Sequence, residues 1–128
     1  MGGSFEIFCW ITNNGELRVD DADDTMDIGR QENTTRIRVA GSGCQWTISA
    51  GNMRFGAANT GFFSSGENKF NVGGGTLLFS SYGSFVSTMA ALNVAGGVFD
   101  VDANALFVAM DFSGGTIKVA SEKTLQCE

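Results

Sequence analysis

Apolar and polar residues alternate along this chain in runs too short for ordinary hairpin strands and too regular for loops. Three stretches carry one pattern: Phe70-Asn71-Val72-Gly73-Gly74-Gly75-Thr76-Leu77, Leu92-Asn93-Val94-Ala95-Gly96-Gly97-Val98-Phe99 and Met110-Asp111-Phe112-Ser113-Gly114-Gly115-Thr116-Ile117. Each reads apolar, polar, apolar, small, Gly, Gly, β-former, apolar. A period of two predicts a half-buried strand, the Gly pair a corner, and the resumed alternation a second strand. A looser copy is read at Ile37 to Ile48, where Ile37-Arg38-Val39 runs into Ala40-Gly41-Ser42-Gly43 and then Cys44-Gln45-Trp46-Thr47-Ile48. Met26-Asp27-Ile28-Gly29 and Met53-Arg54-Phe55-Gly56, 27 residues apart, add a further pair of equivalent strands.

The copies do not recur at one interval. From Val39 to Val72 is 33 residues, from Val72 to Val94 is 22 and from Val94 to Phe112 is 18. A constant strand core with loops of changing length predicts a parallel β-solenoid. Stacking at about 4.8 Å per coil would build two inner columns, Val39-Val72-Val94-Phe112 and Ile37-Phe70-Leu92-Met110. Between them Arg38, Asn71, Asn93 and Asp111 face outward, all polar, as the alternation requires. The expected fold is therefore all-β, a single-stranded solenoid of about four to six short coils. A β-sandwich or small barrel is the alternative, since Gly-rich loops also join hairpins, though hairpins normally leave longer alternating strands.

Composition narrows the class without changing the picture. Of 128 residues, 43% are hydrophobic and 17% charged, with 18 Gly, 11 Phe, no Pro and no His, which describes one turn-rich globular domain over 1–128. Residues 1–14, with the almost wholly apolar Phe5-Glu6-Ile7-Phe8-Cys9-Trp10-Ile11, read as an N-terminal cap, 15–120 as repeats and 121–128 as a C-terminal edge. Where the last repeat ends, from Lys118 to Gln126, Lys118 and Lys123 read as charges that discourage end-to-end stacking. A net charge of −6 without a Lys/Arg cluster excludes a nucleic-acid face. No apolar run reaches the roughly 20 residues that span a bilayer, so membrane insertion is not expected. Met1-Gly2-Gly3-Ser4 before acidic Glu6 lacks the basic start of a secretory signal, which leaves a cytoplasmic protein or a mature piece or fragment of an exported one.

Candidate chemistry is sparse. Asp20, Asp21, Asp23 and Asp24 could offer oxygen ligands to Ca²⁺, but their spacing is not that of a calcium loop and a solvated loop is the favoured reading; no other cofactor is implied. Cys9, Cys44 and Cys127 show no metal-ligand spacing and read as buried, reduced thiols, with one disulfide plus a free thiol as the alternative. Without His there is no histidine base or triad, so no catalytic residue is assigned. A carboxylate-pair hydrolase would have to use Asp100, Asp102 and Asp111, read as lying in adjacent coils. The aromatic residues Phe62, Phe63 and Tyr82 are the candidates for stacking on a sugar ring.

The segment from Ile28-Gly29 through Ile37-Arg38-Val39-Ala40-Gly41-Ser42-Gly43-Cys44-Gln45-Trp46-Thr47-Ile48, with Met53-Arg54-Phe55-Gly56 and Phe70 to Leu77, resembles the tandem repeats of autotransporter passenger domains and related bacterial surface proteins. Those repeats alternate L-x-V-G, V-x-G-x-G-S-x-W and G-G-T-L strands, and the likeness runs over about residues 15 to 120. The resemblance implies a right-handed parallel β-helix, extracellular or on a cell surface, acting as a stalk or adhesive scaffold. The chain departs from the family in its three cysteines and in lacking a visible signal and anchoring barrel. The functional expectation is a non-catalytic structural or adhesive module; a carbohydrate-binding module or a polysaccharide-active β-helix is the alternative. Expected partners are protein or carbohydrate, with a homo-oligomer through coil ends or faces.

Overall fold

The computed structural model describes residues 2–7, 11–12, 14–28, 38–40, 43–56, 62–65, 68–79, 84–87 and 90–128. The strands follow one another coil by coil. The first coil is β1 (Ser4–Ile7), β2 (Ile11–Thr12) and β3 (Glu16–Val19), and the second β4 (Thr25–Ile28), β5 (Arg38–Ala40) and β6 (Cys44–Ile48). The third is β7 (Asn52–Phe55), β8 (Phe62–Ser65) and β9 (Asn68–Val72), and the fourth β10 (Thr76–Phe79), β11 (Ser84–Ser87) and β12 (Ala90–Val94). The fifth is β13 (Val98–Val101), β14 (Asn104–Phe107) and β15 (Ala109–Phe112), and β16 (Thr116–Val119) with β17 (Leu125–Cys127) makes two sides of a sixth. Equivalent strands pair in parallel, giving side A (β1-β4-β7-β10-β13-β16), side B (β2-β5-β8-β11-β14-β17) and side C (β3-β6-β9-β12-β15). The molecule is a three-sided parallel β-solenoid, and the sandwich and barrel alternatives fall away. β1 and β2 thus pair into sides A and B of the stack at its start, and β17 into side B at its end.

Register follows from burying one face of each strand. On side C, Leu17, Trp46, Phe70, Leu92 and Met110 form one inner column, and Val19, Ile48, Val72, Val94 and Phe112 the other. Trp46, Ile48, Phe70, Val72, Leu92 and Val94 are all buried. On side A the inner columns are Phe5-Met26-Met53-Leu77-Phe99-Ile117 and Ile28-Phe55-Phe79-Val101-Val119. Rings from all three sides meet in the middle. Trp46 stacks on Phe70, with centroids 6.1 Å apart, and Phe79 meets Phe99 edge-on at 5.2 Å. Phe107 from side B lies 5.9 Å from Phe99. Offset and edge-to-face pairs of this kind add about 0.5–1.5 kcal/mol each to the burial itself. The polar edge of Trp46 is also satisfied, because its Nε1 donates to Oδ1 of buried Asn68 at 3.2 Å.

This register corrects the sequence reading of the fourth copy. Val39 lies in β5 on side B, pairing with Ile11 and Ser64, and not above or below Val72. The residue in register with Val72 in the preceding coil is Ile48, with Trp46 at the position of Phe70 and Thr47 at that of Asn71. Cys44 to Ile48 therefore matches Asn68 to Val72, while Met53-Arg54-Phe55 matches Leu77-Leu78-Phe79. Ile37 lies outside the described residues.

The corner between sides C and A explains the glycines. Gly51, Gly75, Gly97 and Gly115 occupy its last position with φ between +64° and +82°, a left-handed conformation that L side chains resist. The corners are also hydrogen-bonded coil to coil. Val72 O accepts from Ala95 N at 2.9 Å and Gly96 N at 3.1 Å, and Val98 N donates to Gly75 O at 2.9 Å. A Cβ built on Gly97 would stand 2.5 Å from Gly75 O, so close stacking and backbone conformation exclude a side chain together.

Candidate functional site

Outward residues form columns just as inward ones do, and these columns hold the polar chemistry. On side A the column is Glu6, Asp27, Arg54, Leu78, Asp100 and Lys118. Arg54 grips Asp27 with two parallel hydrogen bonds, Nε to Oδ1 at 2.6 Å and Nη2 to Oδ2 at 2.9 Å. Asp27 is only 8% exposed, so this pair is a partly desolvated, bidentate one and stronger than a surface ion pair. Its hydrogen bond to Asp27 raises the Arg54 pKa above the ordinary arginine value; burial opposes the rise, and the charges of Asp27 and Glu6 reinforce it. An open depression of about 300 Å³ beside the pair is lined by Thr25, Asn52, Arg54, Thr76 and Leu78, with Met53 beneath.

Side C carries an amide and hydroxyl row. Its two outward columns are Arg18-Thr47-Asn71-Asn93-Asp111 and Glu16-Gln45-Lys69-Ala91-Ala109. Thr47 Oγ1 donates to Glu16 Oε1 at 2.6 Å, and Arg18 Nη2 donates to the same oxygen at 3.0 Å. The hydrogen bond from Thr47, foremost, lowers the Glu16 pKa below the ordinary carboxylate value; desolvation opposes it, and Arg18 adds to the lowering. Asn71 Nδ2 donates to Gln45 Oε1 at 3.2 Å, and Asn93 Nδ2 to Asn71 Oδ1 at 3.1 Å. Spacing of about 4.8 Å between coils puts successive polar groups within reach of one another, so the row is bonded along the stack.

The residues singled out from sequence are scattered. Asp20, Asp21, Asp23 and Asp24 form the five-residue corner of the first coil, where later coils have three residues. Two of these carboxylates serve the corner itself: Asp21 Oδ1 accepts from Asp23 N at 3.0 Å and Asp24 Oδ1 from Gly3 N at 2.6 Å. Among the described residues no three His, Cys, Asp or Glu side chains converge on a point where a metal ion could sit. Asp100 stands on side A and Asp111 on side C, with Asp102 between sides A and B, and all three belong to one coil. The structure does not bring Asp100 and Asp111 together, because the central core separates the two sides.

Phe62 and Phe63 lie in β8 on side B, between β5 and β11, and Tyr82 lies outside the described residues. Cys9 also lies outside them, Cys44 opens β6, and Cys127 is a free, exposed thiol. Cys127 is exposed where a buried position was expected; it ends β17 on side B, in register with Phe107. Of the expected core, Phe70, Val72, Leu92 and Val94 are buried, Met110 is half-buried and Phe112 is exposed; Val39 is placed by its backbone pairing alone.

Sequence reasoning missed the Asp27–Arg54 clasp and the Glu16–Thr47 contact. The first was within reach, because opposite charges occupy the same place in Met26-Asp27-Ile28 and Met53-Arg54-Phe55. The second was not, since Glu16 and Thr47 sit two positions apart in register and only the coil geometry joins them. Among the described residues no helix is long and apolar enough to cross a membrane. The fold thus defines a three-sided parallel β-solenoid with bonded polar columns on two sides. Compared with protein-family models, curated proteins and solved structures, the chain matches none.

Proposed function

We propose that this chain is a non-catalytic structural module, a rod-like segment of a bacterial surface or secreted protein that holds its sides out for contact with other molecules. The observation that carries this reading is the state of the outward polar groups: Asp27 with Arg54, Glu16 with Thr47 and Arg18, and Asn71 with Asn93 are engaged with one another along the stack. Such columns tie each coil to the next and stiffen a rod, where a catalytic site would aim titratable groups at a shared point. The surface setting rests on the resemblance of the repeats to passenger domains.

A saturation-substitution scan read for both thermal stability and ligand binding tests the proposal. Sensitivity should follow the inner columns and the corner glycines, with binding to a polysaccharide array absent or unsaturable. A saturable polysaccharide interaction lost on Asn71→Ala or Asn93→Ala, at unchanged melting temperature, would replace this reading with a carbohydrate-binding one on side C.

A further inference from the structure

The amide and hydroxyl row on side C runs in one direction. At its start Glu16 is an acceptor, and Thr47 gives its hydroxyl proton to Glu16 Oε1 at 2.6 Å. The Thr47 oxygen is then left as an acceptor, which sets Asn71 with its Nδ2 toward Thr47 Oγ1 at 3.4 Å and Gln45 Oε1 at 3.2 Å. Asn71 Oδ1 in turn accepts from Asn93 Nδ2 at 3.1 Å. Each step points its donor back toward the first coil and its oxygen on toward the fifth.

The row stops where that direction meets a carboxylate. Asn93 is in register with Asp111 of the fifth coil, and its Nδ2 is already given to Asn71, so the group left to face Asp111 is Oδ1. A carboxylate only accepts, and no hydrogen bond joins the two residues. Two acceptors thus stand about 4.8 Å apart, one coil spacing, with no donor between them. Among the described residues Asp111 also has no ion pair, whereas Glu16 and Asp27 are met by Arg18 and Arg54. Beside the pair the second outward column narrows to Ala91 and Ala109, where the second and third coils carry Gln45 and Lys69.

We propose that Asn93 and Asp111 form a docking point for an arginine side chain of a partner protein. A guanidinium is planar, charged and carries five N–H donors in a fork, so one group can donate to the Asn93 oxygen and to the Asp111 carboxylate. The carboxylate makes the charge-assisted bond, and the small Ala91 and Ala109 leave apolar surface for the arginine stem. The net charge of −6 draws basic partners toward the chain. A lysine ammonium answers the charge of Asp111 but lacks the planar fork. The inference rests on the reading of the chain as a module whose sides meet other molecules, and it names the chemistry of one such contact.

Titration of the full chain with a blocked glycyl-arginyl-glycine peptide, followed by NMR of side-chain carboxamides and carboxyl carbons, tests the site. The Asn93 and Asp111 signals should move together and saturate, and the lysine counterpart should bind several-fold more weakly. Asp111→Asn supplies the missing donor to Asn93, so it should weaken arginine binding about tenfold while the melting temperature holds or rises. Asp100→Asn, the same charge change on side A, should leave binding as it was. The proposal is overturned by absence of saturable binding, by equal weakening in both variants or by equal affinity for the two peptides. A fall in melting temperature on Asp111→Asn, or an Asn93 Nδ2 proton bonded to Asp111 in the unliganded protein, would overturn it as well. Each of these outcomes leaves the module reading in place, since that reading is tested by where the substitution scan finds stability.

Discussion

Val72, Val94 and Phe112 occupy one inner column of side C, in register with one another, yet the first two are each 1% exposed and Phe112 is 55% exposed. The strand patterns around them are the same. What differs is the number of coils stacked against each: Val94 has a coil on both sides, while Phe112 has one. Burial in a solenoid is therefore granted by neighbours, and one apolar pattern buries a residue only where coils cover it.

The strongest way to break this comparison is to place one charge at both sites. Val94→Asp buries an unpaired carboxylate and should remove at least about 4 kcal/mol, enough to abolish the cooperative transition in thermal or urea unfolding. Phe112→Asp should shift stability by less than about 1 kcal/mol, as a surface change does. Equal losses at the two positions would refute the register. Gly97→Ala comes next. It meets both a φ of +67° and a contact 2.5 Å from Gly75 O, and should cost about 2 kcal/mol or more in chemical denaturation.

Arg54→Ala leaves Asp27 nearly buried and without its guanidinium, a loss of about 1–2 kcal/mol, whereas Lys69→Ala on the exposed flank should change little. The smallest effect is a titration. Because Glu16 has a lowered folded pKa, its contribution is present above its ordinary unfolded value and is lost as pH falls through the lowered one. Thr47→Val should move the Glu16 carboxyl titration upward in a carbon-detected NMR series, with little change in melting temperature.

The middle of the stack was legible in the sequence, and the first half was legible in part. Phe70 to Leu77, Leu92 to Phe99 and Met110 to Ile117 repeat closely because their corners have one length and stack directly on one another. The preceding corner is Ser49-Ala50-Gly51, which keeps glycine only at the position of positive φ. It was hidden behind Ala40-Gly41-Ser42-Gly43, a run with more glycine but a different place in the coil. Ala50 stands where the later corners have glycine, and the corner of the coil before it, 20–24, is two residues longer than theirs. The polar columns were less legible still, because neighbours 22 to 31 residues apart meet only once each coil has its length. Phe112 and Cys127 are exposed for another reason: a pattern tells which face a residue takes, but not how fully neighbouring coils cover it.

Coil length itself varies mainly in one place. Between sides A and B the strands are separated by 3, 9, 6, 4, 2 and 5 residues in successive coils, whereas the glycine corner holds at three from the second coil onward. One edge of the prism is thus fixed in length and another variable. A foreign peptide grafted between Ile28 and Arg38, the longest of these connections, would enter without shifting any column, which suits the molecule to presenting inserted epitopes at a set height along a rod.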